Sequence, residues 1–256
     1  MSFPTRVATE TRAAAKAFLR RRTAVFFTFF FPAILILIFG ALVQTQPTGG
    51  GLFTEPPAYY IPGYLAVVVL FTPLSRVGSE VARHRAGNRF EKLATTPLRR
   101  WEWLLGQTLV NVGIIGSAGL LILLLTVLVT GAGLPLTVET LLLVPYIAVG
   151  VTLFCGVGAI LGRVADSQDG VVAASNGIAL PLLFLSDTFV PPALLPEWFP
   201  FWLSPLTYFA RGVRQIVMPA GLDTASVADP LTSLLVLTAL AAAFFLVGAL
   251  ALPRTD

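Results

Sequence analysis

Apolar residues run along this chain in long blocks separated by short polar stretches. Residues 25–43 carry no charge, and further apolar blocks occupy 60–74, 104–129, 140–161, 171–189 and 231–252. Most approach the roughly 20 residues with which a helix crosses a hydrocarbon core. The pattern predicts an all-α integral membrane protein with six transmembrane helices. Pro32 and Pro181 fall inside the first and fifth blocks. Proline is tolerated there because neighbouring helices satisfy the freed backbone groups. A cleaved leader is the alternative for the first block, but a long basic lead and the lack of a small-residue cleavage site argue against it.

The stretches between the blocks differ in character. Ahead of the first, Phe3, Val7, Ala14 and Phe18 recur at spacings of four or seven, with Arg6, Glu10, Lys16 and Arg20 elsewhere on the helical wheel. Residues 2–22 therefore read as an amphipathic helix in the membrane interface, with a disordered basic tail as the alternative. Gly49, Gly50, Gly51, Pro56 and Pro57 mark a loop, after which Tyr59 and Tyr60 stand where interfacial aromatics anchor a span. Residues 76–103 form a polar, basic cytoplasmic loop containing Arg76, Arg83, His84, Arg85, Arg89, Lys92, Arg99 and Arg100. Residues 191–209 mix prolines with Trp198, Phe199, Phe201, Trp202, Tyr208 and Phe209. They are too broken to span and too aromatic for a solvated loop, so 191–230 is expected to hold an outer re-entrant segment and a loop.

Composition agrees with lipid as the solvent. The chain is 56% hydrophobic and 12% charged, with a mean hydropathy of +0.84. Soluble domains have about 25% charged residues. Cys155 is the only cysteine, so an internal disulfide and a thiolate cluster are both excluded. The net charge of +4 is concentrated in the N-terminal segment and the 76–103 loop. That is the positive-inside pattern of membrane proteins, so nucleic acid is not an expected partner. With six spans, these basic segments, the Arg163 loop and both termini fall on the cytoplasmic side of the cell membrane. Arg211 and Arg214 break the rule: either they snorkel from a re-entrant helix or the span count is wrong.

Several chemistries are excluded. His84 is the single histidine, so no zinc protease site exists. There is no Gly-x-Ser-x-Gly elbow, and Ser175, followed by Asn176 and Gly177, has no histidine partner within the membrane. Ion-coupled transporters usually hold ionisable residues at mid-membrane depth, and spans one, three, four and six hold none. No Gly-x-x-x-x-Gly-Lys cradle occurs, so ATP hydrolysis is not expected of this chain.

Two blocks of residues resemble a known family. Glu80, Gly87, the Phe90-Glu91-Lys92-Leu93-Ala94-Thr95-Thr96-Pro97-Leu98 run, Trp101, Glu102 and Leu104-Leu105-Gly106-Gln107 resemble the first cytoplasmic loop of ABC-2 type transporter permeases. That export family includes drug-resistance, nodulation-factor and polysaccharide exporters. Asn88 and Arg89 place Gly87 three positions before Phe90 where the family has two, and Gln107 replaces a common Lys. Asn176, Pro181-Leu182-Leu183-Phe184-Leu185-Ser186, Phe189, Pro191, Leu195-Pro196, Trp198 and Ser204-Pro205-Leu206-Thr207-Tyr208 are similar to the family's fifth span and outer re-entrant segment. Asp187 stands where Gly is frequent, and Ser204 where Asn is.

The resemblance implies an ABC-2, type V exporter-like fold, forming one transmembrane domain over residues 1–256. It implies a permease subunit of an ATP-driven exporter, with ATP and Mg bound by a separate ABC ATPase subunit and no cofactor on this chain. The other expected partners are membrane lipid and a second permease copy, identical or related. Arg89, Phe90, Glu91, Lys92, Leu93, Thr96 and Pro97 would form the coupling helix that docks on the ATPase. Phe90, Leu93 and Ala94 at helical spacing with a basic rim suit such a knob. An amphipathic segment lying on anionic lipid is the alternative. A substrate pathway is expected along Phe27, Phe30, Phe31, Asn176, Phe184 and Phe189, with ordinary packing in lipid as the other explanation. The substrate class left open is amphipathic, lipid-linked or drug-like. A non-transport sensor or immunity subunit is the alternative function, and a secondary transporter a weaker one.

Overall fold

The computed structural model describes residues 2–38, 57–131, 137–184, 186–189, 200–218 and 229–253, together with Gly133, Pro135 and Trp198. The described residues fold into α1 (Phe3–Leu19), α2 (Arg22–Ile36), α3 (Ile61–Ala86), α4 (Arg89–Ala94), α5 (Arg100–Thr130), α6 (Leu143–Val164), α7 (Gln168–Phe184), α8 (Pro205–Val217) and α9 (Pro230–Ala251). Short 3-10 turns precede α3, α6 and α8. No strand occurs among the described residues.

Four of these segments are long and apolar enough to cross a membrane: Ala58–Ala86, Arg100–Thr130, Val138–Val164 and Pro230–Ala251. They coincide with the expected second, third, fourth and sixth spans. Helix α2, with 15 residues, and α7, with 17, fall on the expected first and fifth spans and are shorter. Residues 39–43 of the first and most of the 191–209 stretch lie outside the described residues.

Helix α3 is the centre of the bundle. Its residues Ile61–Leu70 are buried without interruption, and it packs on α5, α6, α7 and α8. Glycines set the closest approaches. A Cβ on Gly158 of α6 would lie 2.6 Å from the Leu74 carbonyl of α3, and one on Gly248 of α9 would lie 2.6 Å from the Gly156 carbonyl. Lipid tails supply no hydrophobic drive between helices, so backbone proximity at small residues is a main source of association. Gly158→Leu is therefore expected to abolish the monodisperse peak of the detergent-solubilised protein in size-exclusion chromatography. Gly113→Leu, with open space around that position, should leave the peak intact.

The helix of the second expected span outruns its expected end. The sequence pattern stops the span at residue 74, yet α3 continues to Ala86, past Pro73, Arg76 and Glu80. Polarity does not end a helix when partners neutralise it. Buried Glu80 faces Arg21 at 3.0 Å and also pairs with Arg83. The break comes at Gly87 and Asn88, where Asn88 takes a left-handed φ of +50°. Asparagine is among the few non-glycine residues that adopt this conformation readily. The residue that lengthens the Gly87 to Phe90 spacing is thus the one that turns the chain.

Candidate functional site

Helices α2, α3 and α7 line an open-sided cavity of about 910 Å3. That lies at the upper end of the roughly 300–1,000 Å3 range of small-molecule sites. Helix α2 contributes Phe27, Thr28, Phe31 and Pro32, and α7 contributes Asn176, Leu180, Leu183 and Phe184. Helix α3 contributes Val67, Val68, Phe71, Thr72, Ser75, Arg76 and Ser79, which share one face at helical spacing. Phe189 also lines it, seated so close to Gly63 that a Cβ there would meet the ring at 2.6 Å. Five of the six residues expected along a pathway, Phe27, Phe31, Asn176, Phe184 and Phe189, thus surround one space. Phe30 does not line it and instead stacks on Phe26 at 4.5 Å between ring centroids.

At the polar end of the bundle, α1 is lashed to α5. Arg6 Nε donates to Glu102 Oε2 at 2.9 Å, and a second guanidinium nitrogen bonds the other oxygen of this nearly inaccessible carboxylate. One turn along, Gln107 Nε2 donates to Glu10 Oε1 at 2.8 Å. Burial pushes the Glu10 carboxyl above its usual range, and the Gln107 hydrogen bond opposes that shift. The departure from the family's Lys at position 107 thus comes with a neutral donor facing a carboxyl that resists ionisation. Val7, Ala14 and Phe18 of the expected apolar stripe are buried, while half-exposed Phe3 contacts Trp101 at 5.1 Å. The stripe therefore packs on protein.

Helix α4 hangs beside this junction, and its aromatic residue points inward. Phe90 is 4% exposed and packs on His84 and Trp103, with ring centroids 5.4 Å away in each case. His84 Nδ1 donates to the Glu80 carbonyl at 2.8 Å, which fixes the imidazole against both rings. Phe90 thus anchors α4 to α3 and α5, and Leu93 is half-buried against the core. The exposed face carries Arg89, Glu91, Lys92, Ala94, Thr95, Thr96 and Pro97. Six-residue periodicity cannot say which side of so short a helix meets the protein.

The opposite end holds an ionic cluster that the sequence pattern did not reveal. Asp187, 1% exposed, accepts from Arg211 Nε at 2.6 Å, and Arg214 Nη1 lies 3.8 Å from the same oxygen. Arg214 Nη2 also donates to the Asp187 and Thr188 carbonyls at 2.7 and 3.2 Å, and its guanidinium lies 4.0 Å from the centre of the Tyr59 ring. Arg214 does not snorkel. It is 3% exposed on an α8 whose Leu206, Phe209, Val213 and Ile216 are buried. The signal available in the sequence was Asp187 itself, an acid at the end of an uncharged block, followed within 27 residues by two arginines.

A family model described as ABC-2 type transporter matches residues 5–218. No curated protein matches the chain.

Proposed function

This chain belongs to the ABC-2 type transporter family, whose members are membrane permease domains of ABC transporters and not ATPases, and from that premise we propose that it is the permease subunit of an exporter. A separate ABC ATPase subunit, holding ATP and Mg, supplies the energy. Six spans, an outer re-entrant segment containing α8 and cytoplasmic termini in the cell membrane complete the reading. Two permease copies, identical or related, act together. The substrate is amphipathic, lipid-linked or drug-like, and it moves outward.

The observation that carries this reading is the mechanical continuity between α4 and the cavity. Phe90 fastens α4 to the end of α3, and the same α3 presents Val67 to Ser79 to the cavity. A push on α4 is delivered to a cavity wall through continuous helix, about 18 Å over those 12 residue steps. On the exposed face of α4 and the turn that follows it, Arg89, Glu91, Lys92, Thr95, Thr96 and Pro97 offer polar contacts and charge steering to an ATPase surface. Among the described residues every Lys and Arg other than Arg211 and Arg214 lies toward this end, which supports its cytoplasmic placement.

The test is flux in proteoliposomes containing the chain and its ATPase partner. Movement of a labelled amphiphile is expected to require ATP and to persist when proton and sodium gradients are collapsed. ATP hydrolysis without movement would favour a sensing or immunity role, and loss of movement with the gradients would favour a secondary transporter.

A further inference from the structure

We propose that the cavity binds a single-chain anionic amphiphile, its charged head at Arg76 and its apolar body against Phe27, Phe31, Phe71 and Phe184. The proposal names a ligand class for the cavity and rests on the reading of that cavity as a substrate site.

The cavity is graded along its length. On α3 the lining runs from Val67, Val68 and Phe71 to Thr72, Ser75, Arg76 and Ser79, so one helix face changes from hydrocarbon to hydroxyl and guanidinium. Among the described residues, the Thr72, Ser75 and Ser79 hydroxyls have no hydrogen-bond partner. Serine or threonine in an apolar helix commonly bonds a carbonyl one turn back. Here these hydroxyls are available to a ligand head.

Charge decides the sign of that head. The lining includes Arg21 and Arg76 and no carboxylate. Arg21 is accounted for by Glu80 at 3.0 Å. Arg76 touches only neutral groups, Asn111 Oδ1 at 3.3 Å, the Ala14 carbonyl at 3.4 Å and the Phe18 ring centre at 4.6 Å, while Glu80, one turn on, acts on it through space and is itself paired with Arg21 and Arg83. No carboxylate lies within 4.0 Å of it among the described residues. A guanidinium has five N–H donors. Two long bonds to neutral oxygens leave most of that capacity unused beside an apolar space, where a charge is costly unless paired. A cationic ligand would be repelled, and a neutral one would leave Arg76 only the distant, shared charge of Glu80. A phosphate, sulfate or carboxylate head would accept forked, charge-assisted bonds.

The test uses the chain alone in phosphatidylcholine nanodiscs, without ATPase or ATP, so its outcome is independent of whether export occurs. Nitroxide-labelled lysophosphatidylglycerol and monoacylglycerol, the second without a phosphate, carrying the same labelled chain, report their motionally restricted fractions by electron paramagnetic resonance. The wild-type protein is expected to prefer the anionic probe by about tenfold, the worth of one good charge-assisted bond. Arg76→Gln should reduce the preference to about threefold or less, Arg76→Lys should retain it, and exposed Arg12→Gln should leave it unchanged. Ser79→Glu, which adds a second carboxylate one turn from Arg76 beside the Glu80 already shared with Arg21 and Arg83, should also lower it. No wild-type preference, or a preference unaltered by both Arg76→Gln and Ser79→Glu, would overturn the proposal.

Discussion

Asp187→Ala is expected to remove most folded protein from the membrane fraction. The substitution leaves the Arg211 and Arg214 guanidiniums without their carboxylate, and Arg214 is 3% exposed with its side chain held against Tyr59. Breaking a buried pair by removing one partner costs about 3–5 kcal/mol, a large part of the roughly 5–15 kcal/mol that holds a domain folded. Asp187→Asn should be milder, because the amide oxygen still accepts from Arg211. The direct check is thermal stability by fluorescence-detected size exclusion, comparing Asp187→Ala with Asp187→Ala/Arg211→Leu/Arg214→Met. The triple variant is expected to recover much of the loss, since the penalty lies in stranded charge. Equal stability of Asp187→Ala and wild type would place the cluster outside the fold's energetics.

Phe90→Asp is expected to uncouple the transporter by releasing α4. Truncating a buried Phe costs about 3–5 kcal/mol, and a carboxylate against the His84 and Trp103 rings adds desolvation. Trypsin applied to inside-out vesicles containing the chain alone should cut faster at Arg89 and Lys92 in this variant. Substrate-stimulated ATP hydrolysis in the assembled complex should fall to its basal level, while membrane insertion persists. Phe90→Leu, which keeps an apolar side chain in the pocket, should retain most of both. Unchanged protease sensitivity of Phe90→Asp would mean that Phe90 serves the partner and not the anchoring of α4.

These two sites show what a single sequence carries. The apolar blocks translated into helices because a lipid solvent leaves few alternatives: every buried backbone group must be bonded within the segment. The aromatic residues of the first and fifth blocks, Phe27, Phe31, Phe184 and Phe189, were named from block position alone, and they share a cavity because α2 and α7 both flank α3. The end of α3 was not legible, since its continuation depends on Arg21 reaching Glu80 from another element. Phe90's direction depends likewise on Trp103, across the Pro97 turn. The Asp187 cluster joins residues 24 and 27 positions apart across a proline-rich stretch, where no periodicity links them. Patterns report what a segment does with lipid or water, and interhelical partners are chosen in three dimensions.

The exposed face of α4 is where the reading of this chain as the membrane half of an ATP-driven pump is most exposed to test. A photoreactive amino acid at Lys92 or Thr96, activated in the assembled transporter during ATP turnover, is expected to crosslink this chain to its ATPase subunit. Crosslinks to phospholipid alone, with the ATPase present and active, would contradict it and leave α4 as a segment resting on the membrane surface.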